Sequence, residues 1–548
     1  MSDPAPRVSG TVYEAFRRAA EAHAARQFLC VLPQTAARYT IEARTWTYRQ
    51  AAHEVEILGR RYREAGYGHG HRAGLMLENR PAFFFHWLAL NALGVSVVPI
   101  STEWRRAELE YLLEHSEICA AVVPEGRARE LALAAQATGR ALVVTTETLA
   151  DLSPPAFPAP ASSRPGVDTE CALLYTSGTT GRPKGCVLPN EYFLWAGCWY
   201  ARLEGACAIR PGHERLITPL PLGHMNAMAF SSMAMLLTGG CIIQLDRFHP
   251  STWWECVAGS GATIVHYLGV MPPLLLGAPP SDRERGHAVR FGFGAGVSPR
   301  LHAAFEARFG FPLIEAWAMT ETGAGAVISA NREPRKVGSA CFGRPGGQLE
   351  YRVVDESGRD VATEQPGELL VRHAGEAPRF GFFREYLKEP AATEAAWEGG
   401  YFHTGDIVRL DADGDFHFVD RKKNVIRRSG ENISAVEVES VLLQHPAVGA
   451  VGITAVPDEV RGEEVIACVV PREALDELAR AAVAHSLVEF CLERLAYFKA
   501  PGYVGFCEGL PLTATEKIQR AQLKALGLAL LRTAACFDLR KLKKRTVT

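Results

Sequence analysis

From about residue 45 to 370, apolar runs of strand length alternate with longer stretches of helical apolar spacing. Residues 83–93 have the apolar density of a helix and lead through Gly94 into the strand pattern 95–100; 105–113 again reads as a helix and 120–123 as a strand. Short apolar runs recur at 141–145, 241–245, 263–265 and 289–293. This rhythm predicts parallel, doubly wound sheets covered by helices. From Gly367 it changes: strand patterns such as 368–372 and 415–419 are joined by turns like Asp413-Gly414, the habit of hairpins. Beyond residue 423, helical patterns (434–444, 486–498) and strand patterns (449–455, 465–470) form a set of their own. A Pro/Ser-rich piece, 153–165, reads as a surface linker. The expected fold class is α/β: a large N-terminal domain, 1–422, of doubly wound sheets, and a small mobile α+β C-terminal domain, 423–548.

Composition and charge exclude several function classes. A chain of 548 residues exceeds what one core usually organises, in agreement with two domains. Lys+Arg 59 against Asp+Glu 61 leaves a net charge of -2, so no global field draws the chain to nucleic acid or an anionic membrane. The basic run 540–545 reads as a solvated end. Residues 81–102 and 216–245 carry no charged side chain, yet both break where a spanning helix must continue, at Gly94 in the first and at Pro219, Pro221 and Gly239-Gly240 in the second. Both read as buried core. The 13 cysteines include no C-x-x-C pair, and the first ten residues lack the apolar run of a signal peptide. A cytoplasmic protein with reduced thiols is expected.

The sharpest chemical signal is Tyr175-Thr176-Ser177-Gly178-Thr179-Thr180-Gly181-Arg182-Pro183-Lys184-Gly185, behind the strand-like Ala172-Leu173-Leu174. Glycines and small hydroxyl residues let backbone N–H groups approach a polyphosphate, and Lys184 adds a positive charge. The glycine-to-lysine spacing is not that of a Walker A loop. A flexible Gly/Ser/Thr linker is the plain alternative, but a Pro-Lys-Gly stop between two strands favours phosphate binding.

This segment resembles the phosphate-binding signature of the adenylate-forming superfamily, which includes acyl-CoA synthetases, luciferases and peptide-synthetase adenylation domains. Further segments are similar in the same order over nearly the whole chain. The resemblance implies that Thr176, Ser177, Gly178, Thr179, Thr180 and Lys184 hold the ATP phosphates. Trp317-Ala318-Met319-Thr320-Glu321-Thr322 resembles a segment in which Thr320 would bond a phosphate and Glu321 would hold Mg2+ against ATP, a role suited to a hard carboxylate oxygen. Trp317 and Ala318 stand where Tyr and Gly are usual; the indole would still cover an adenine face. Phe402-His403-Thr404-Gly405-Asp406 is similar to the segment whose aspartate takes the ribose hydroxyls, and Val419-Asp420-Arg421-Lys422-Lys423-Asn424 to the interdomain segment, with Arg421 on ribose or phosphate and Lys423 at the hinge. Gly430, in Ser429-Gly430-Glu431-Asn432, would approach the coenzyme A tunnel; 420–439 is most similar to the crotonobetaine/carnitine-CoA ligase branch. Pro511-Leu512-Thr513-Ala514-Thr515-Glu516-Lys517 resembles the family's C-terminal signature, with Glu516 in place of glycine. Lys517 would stabilise charge building at the α-phosphate.

By position in the family, the acyl pocket and its border with the nucleotide draw on 221–230, 267–271, 294–296 and 315–318. His224 would close the junction, Asn226, Tyr267 and Gly269 would meet the acyl group, and Gly294, Ala295, Glu315 and Ala316 join Trp317 at the nucleotide. For His224 the competing reading is a satisfied buried imidazole; for Asn226 the two readings balance. No carboxylate lies between Leu216 and Leu245 to pair with a substrate ammonium, unlike typical amino-acid-activating domains. The resemblance thus implies an ATP-dependent carboxylic acid–CoA ligase using ATP, Mg2+ and coenzyme A, with a small-molecule acid as substrate and no nucleic-acid partner. Rivals are an enzyme that loads a separate acyl carrier protein and a non-catalytic nucleotide-binding homologue.

Overall fold

The computed structural model describes residues 8–176, 182–355, 357–421, 426–429, 431–433, 435–511, 518 and 520–543. The chain divides into two compact units. The first takes the sequence up to Val419 without 103–112 and 175–184; the second takes those two segments and the chain from Asp420 onward.

In the first unit the expected alternation builds two sheets. One holds, in spatial order, Ile328–Ser329, Leu313–Trp317, Phe291–Ala295, Ile264–Leu268, Arg215–Thr218, Cys241–Gln244, Gln27–Val31 and Arg44–Thr47. Its neighbours from Leu313–Trp317 through Gln27–Val31 pair in parallel. The other sheet is seven-stranded and includes Lys184–Pro189, Glu170–Thr176, Ser96–Pro99, Arg72–Leu75 and Ala120–Val122. Strands buried on both faces carry apolar residues at every position, which is why they read as unbroken runs; Leu216, Ile217, Ile242, Ile264 and Phe291 are all buried.

The two uncharged stretches resolve into core elements. Helix Pro81–Ala92 is apolar all round and buries Phe83, Phe84, Trp87 and Leu88. Pro81 sits in its first turn, where a missing N–H costs nothing, and Gly94 at φ +73 turns the chain into Ser96–Pro99. Residues 216–245 form strand Arg215–Thr218, a π-helical turn Asn226–Ser231 running into helix Ser232–Thr238, and strand Cys241–Gln244. Among the described residues, no helix is long and apolar enough to cross a membrane. All 13 cysteines are free thiols. The 153–165 piece is irregular but fastened, since the Tyr67 hydroxyl donates to the Ser153 carbonyl at 3.0 Å.

The antiparallel habit begins earlier than Gly367. A five-stranded sheet orders Cys341–Gly343, Phe416–Arg421, Phe402–Leu410, Pro366–His373 and Leu349–Val354.

The second unit is α+β. Strands Val448–Asp458 and Gly462–Pro471 form a long antiparallel hairpin, extended by Tyr503–Phe506 and Cys536–Asp538. Helices Ala435–Leu442 and Glu477–Arg494 cover it, with Val451, Ile453, Val469, Leu487 and Val488 in the core. The second helix starts nine residues before the expected 486. Asp476 caps it, its carboxylate accepting from the Ala479 N–H at 2.8 Å, and the Ala-rich turns behind that cap favour helix without an apolar face. Lys499 donates to Glu108 and Glu437, each at 2.8 Å, which fastens segment 103–112 into this unit.

Candidate active site

Four parallel strands of the eight-stranded sheet end on one edge. Val265 lies beside Ile217, Tyr267 beside Gly294, and Gly294 beside Glu315. The loops that follow, 219–225, 269–270, 296–298 and 318–322, therefore emerge together at the carboxyl ends of the strands, where open α/β sheets bind ligands. Backbone crowding explains the small residues there. A Cβ on Gly294 would stand 2.1 Å from the Tyr267 carbonyl oxygen, and one on Gly269 1.9 Å from that of Gly296.

Glu315 organises this edge. Its carboxylate accepts from the Gly296 and Val297 N–H groups and from the Tyr267 hydroxyl, each at 2.9 Å. Burial pushes its carboxyl up, against the pull of those backbone donors. Tyr267 and Glu315 were expected at the ligands. Both are buried and engaged with each other, so they shape the 296–297 turn from behind, while Ala295 and Ala316 are half-buried beside it.

Asp406 is held from two sides. Pairing between Pro366–His373 and Phe402–Leu410 slips between Glu368 and Leu370, so that residues 404–406 bulge out of the ladder, and Gly405 adopts φ +66. A bulge of this kind re-aims side chains. The Trp317 indole N–H donates to Asp406 Oδ2 at 2.8 Å across 89 residues of sequence. The indole itself leans on Phe342, whose ring stacks on Phe416 at 5.7 Å and 6°. Trp317 thus carries a hydrogen-bond task at Asp406 besides any contact with a base.

Glu321 follows on the next turn. It is buried and accepts from the Tyr386 hydroxyl at 3.0 Å; Thr320 beside it is half-buried. The Thr322 hydroxyl oxygen accepts from the Met319 N–H at 2.9 Å and tightens that turn. Tyr386 is a site neighbour that sequence reasoning missed, 65 residues away with no motif around it. Among the described residues, no group of three or more His, Cys, Asp or Glu could hold a metal ion. A lone carboxylate such as Glu321 suits Mg2+ brought in on phosphates.

His224 is exposed, which sets aside the buried-imidazole reading. Asn226 is half-buried and opens the π-helical turn; its Oδ1 lies 2.7 Å from Nδ1 of the fully buried His266.

In the second unit, Thr176 and Lys184 flank the phosphate-type loop, both half-buried, with Lys184 opening strand Lys184–Pro189. The loop's exit is braced from segment 103–112. The Tyr111 hydroxyl donates to the Pro183 carbonyl at 2.8 Å, and the Arg182 guanidinium lies over the Tyr111 ring. Nothing around Tyr111 in the sequence announces this. Arg421 closes strand Phe416–Arg421. Ser177, Gly178, Thr179, Thr180, Lys423, Gly430 and Lys517 lie outside the described residues.

Residues 16–386 match the family described as AMP-binding enzyme, and 437–517 that described as AMP-binding enzyme C-terminal domain. The chain is 34% identical to a sulfoacetate–CoA ligase of Cupriavidus necator over 488 residues, 87% of this chain and 92% of the relative. It is 30% identical to a crotonobetaine/carnitine–CoA ligase of Shigella flexneri, over 87% of this chain and 93% of the relative. Among solved structures, it shares the fold of an o-succinylbenzoate CoA synthetase from Bacillus subtilis, with TM-score 0.78, 23% identity, and 94% and 99% of the two chains covered. A malonyl-CoA ligase with methylmalonyl-CoA and AMP bound superposes with TM-score 0.71 at 26% identity, over 89% of this chain and 96% of that one.

Proposed function

The chain belongs to the AMP-binding enzyme family, and on that premise we propose that it is an ATP-dependent carboxylic acid–CoA ligase that works through an acyl-adenylate. The carrying observation is likeness to two CoA ligases over 87% of the chain. In the first step the substrate carboxylate attacks the α-phosphate of ATP, forming the acyl–phosphate bond as pyrophosphate leaves. In the second, the thiol of coenzyme A attacks the acyl carbonyl, forming the thioester and releasing AMP.

Each residue has a derivable task. Asp406, oriented by the bulge and by Trp317, accepts hydrogen bonds from ribose hydroxyls, and an ionised carboxylate makes these charge-assisted. Thr176 and Lys184, with 177–180 between them, neutralise phosphate charge. Glu321, steadied by Tyr386, supplies a hard oxygen for Mg2+, which when bound would draw charge off the phosphates. Arg421 would meet ribose or phosphate, Lys517 the developing charge at the α-phosphate, and Gly430 the path of coenzyme A, with Lys423 as hinge. The two named relatives act on different acids, so neither acid carries over.

The test is pyrophosphate release across a panel of carboxylic acids, with and without coenzyme A, and with an acyl carrier protein in place of coenzyme A. The expected result is acid-dependent release and thioester formation on free coenzyme A. Thioester formed only on the carrier would reassign the acceptor; no ATP–pyrophosphate exchange with any acid would leave a nucleotide-binding protein without this activity.

A further inference from the structure

The substrate side of the site contains a buried polar relay that the mechanism above does not use. Its parts are Tyr200 on helix Asn190–Ala201, His266 on strand Ile264–Leu268, and Asn226 and Ser231 at the two ends of the π-helical turn. Tyr200 O–H lies 2.8 Å from His266 Nε2. His266 Nδ1 lies 2.7 Å from Asn226 Oδ1 and 2.8 Å from Ser231 Oγ, and the Ser231 hydroxyl donates to the Asn226 carbonyl at 3.2 Å. Tyr200 and His266 are fully buried, and the Tyr200 ring is stacked on Phe293 at 4.7 Å, which prevents it from swinging away.

Proton accounting gives this relay a direction. Burial lowers the His266 imidazolium pKa to about 3, so the ring is neutral and carries one N–H. Burial also pushes the Tyr200 phenol well up, so it keeps its hydrogen. Among the described residues, His266 Nε2 is the acceptor in reach of that hydrogen, and a buried hydroxyl hydrogen left without one is costly. Nε2 therefore accepts, and the imidazole hydrogen resides on Nδ1. Nδ1–H in turn donates to Asn226, which must turn its oxygen inward. The Asn226 NH2 then faces outward from a half-buried side chain, with no acceptor among the described residues. It does so at the carboxyl edge of the parallel strands, two residues after exposed His224 and at a π-helical turn, a form that often marks functional positions.

We propose that Asn226 is a specificity-determining residue that reads a hydrogen-bond-accepting oxygen on the acyl part of the substrate, and that His266 and Tyr200 are positioning residues that lock it as a donor. The substrate class is an acid bearing a second oxygen acceptor, a carbonyl, hydroxyl or further acid group, in preference to the plain hydrocarbon acid of the same length. The inference rests on the ligase reading and goes beyond it by stating what the pocket recognises.

The experiment measures kcat/KM for acid-dependent pyrophosphate release on matched pairs of acids, identical in length, in which one member has a methylene where the other has an oxygen acceptor. Wild-type protein should prefer the acceptor-bearing member of at least one pair by about a hundredfold, the order of effect of leaving one buried donor without its partner. Asn226→Leu should collapse that ratio to within a few fold of one. Tyr200→Phe frees His266 to take the other tautomer and should cut the ratio at least tenfold, a change in selectivity that a merely structural role would not produce. Equal rates for both members of every pair in the wild type, or a ratio unchanged in Asn226→Leu, overturn the inference and leave the ligase reading standing. Release with neither member of any pair overturns the ligase reading, and this inference with it.

Discussion

Asp406, proposed to take the ribose hydroxyls, shows what a buried carboxylate needs before it can serve a ligand. A carboxylate 1% exposed must be solvated by the protein, and here the Trp317 indole supplies one bond and the bulge supplies direction. Trp317→Phe keeps most of the ring and deletes the N–H. Hydrogen bonds to charged groups contribute about 1.5–3 kcal/mol, so KM for ATP should rise roughly tenfold to a hundredfold. KM for the acid should change far less, and steady-state kinetics with each substrate varied in turn would show the split. An unchanged KM for ATP would mean that the indole contact does not orient the carboxylate for its ligand. At this scale the sequence singles out Asp406, Glu321 and Lys184, because motifs of consecutive residues carry them. It was silent on Tyr386, Tyr111 and His266, each of which reaches its partner from a remote element.

Among elements, the regular ones were legible and the irregular ones were not. Parallel strands and their covering helices announce themselves by uninterrupted apolar runs. The bulge at residues 404–406 and the π-helical turn do not, since each depends on where a neighbouring strand or helix forces the register. The buried charges of the second unit have the same origin. Glu464, on strand Gly462–Pro471, accepts from Arg428 at 2.7 Å and from Lys543, and all three are buried. Despite the ion pair, burial first and the Arg428 cation second bring Lys543 down from 10.5 to about 7. The unfolded chain therefore binds more protons between these values, and stability contributed through Lys543 rises as pH climbs from about 7 towards 10. Lys543→Met should flatten that rise and change stability little at pH 7, as urea unfolding at pH 7 and 9 would reveal. Glu464→Gln leaves the buried Arg428 cation without its carboxylate partner and should cost about 3–5 kcal/mol. A parallel pH response in wild type and Lys543→Met would refute the assignment.

For the whole molecule, two units and two half-reactions belong together. Lys517 is assigned to adenylate formation, Gly430 to the thiol step. Lys517→Ala should lower acid-dependent pyrophosphate release by about 10²–10³-fold, the usual loss for a group that stabilises developing charge, while thioester formation from supplied acyl-adenylate stays within a few fold of wild type. Equal loss in both assays would sink this division of labour. The sequence alone determined that the chain is a two-part α/β protein, and it carries in order the segments that resemble the family's nucleotide-binding motifs. Local spacing suffices for both, because helices, strands and phosphate loops are written in neighbouring residues. Only the tertiary structure decided that Tyr267 serves Glu315, that Trp317 serves Asp406, and that Asn226 meets His266. Those outcomes depend on which buried hydrogen finds which acceptor, a matter settled between residues far apart in the chain once water has been excluded from around them.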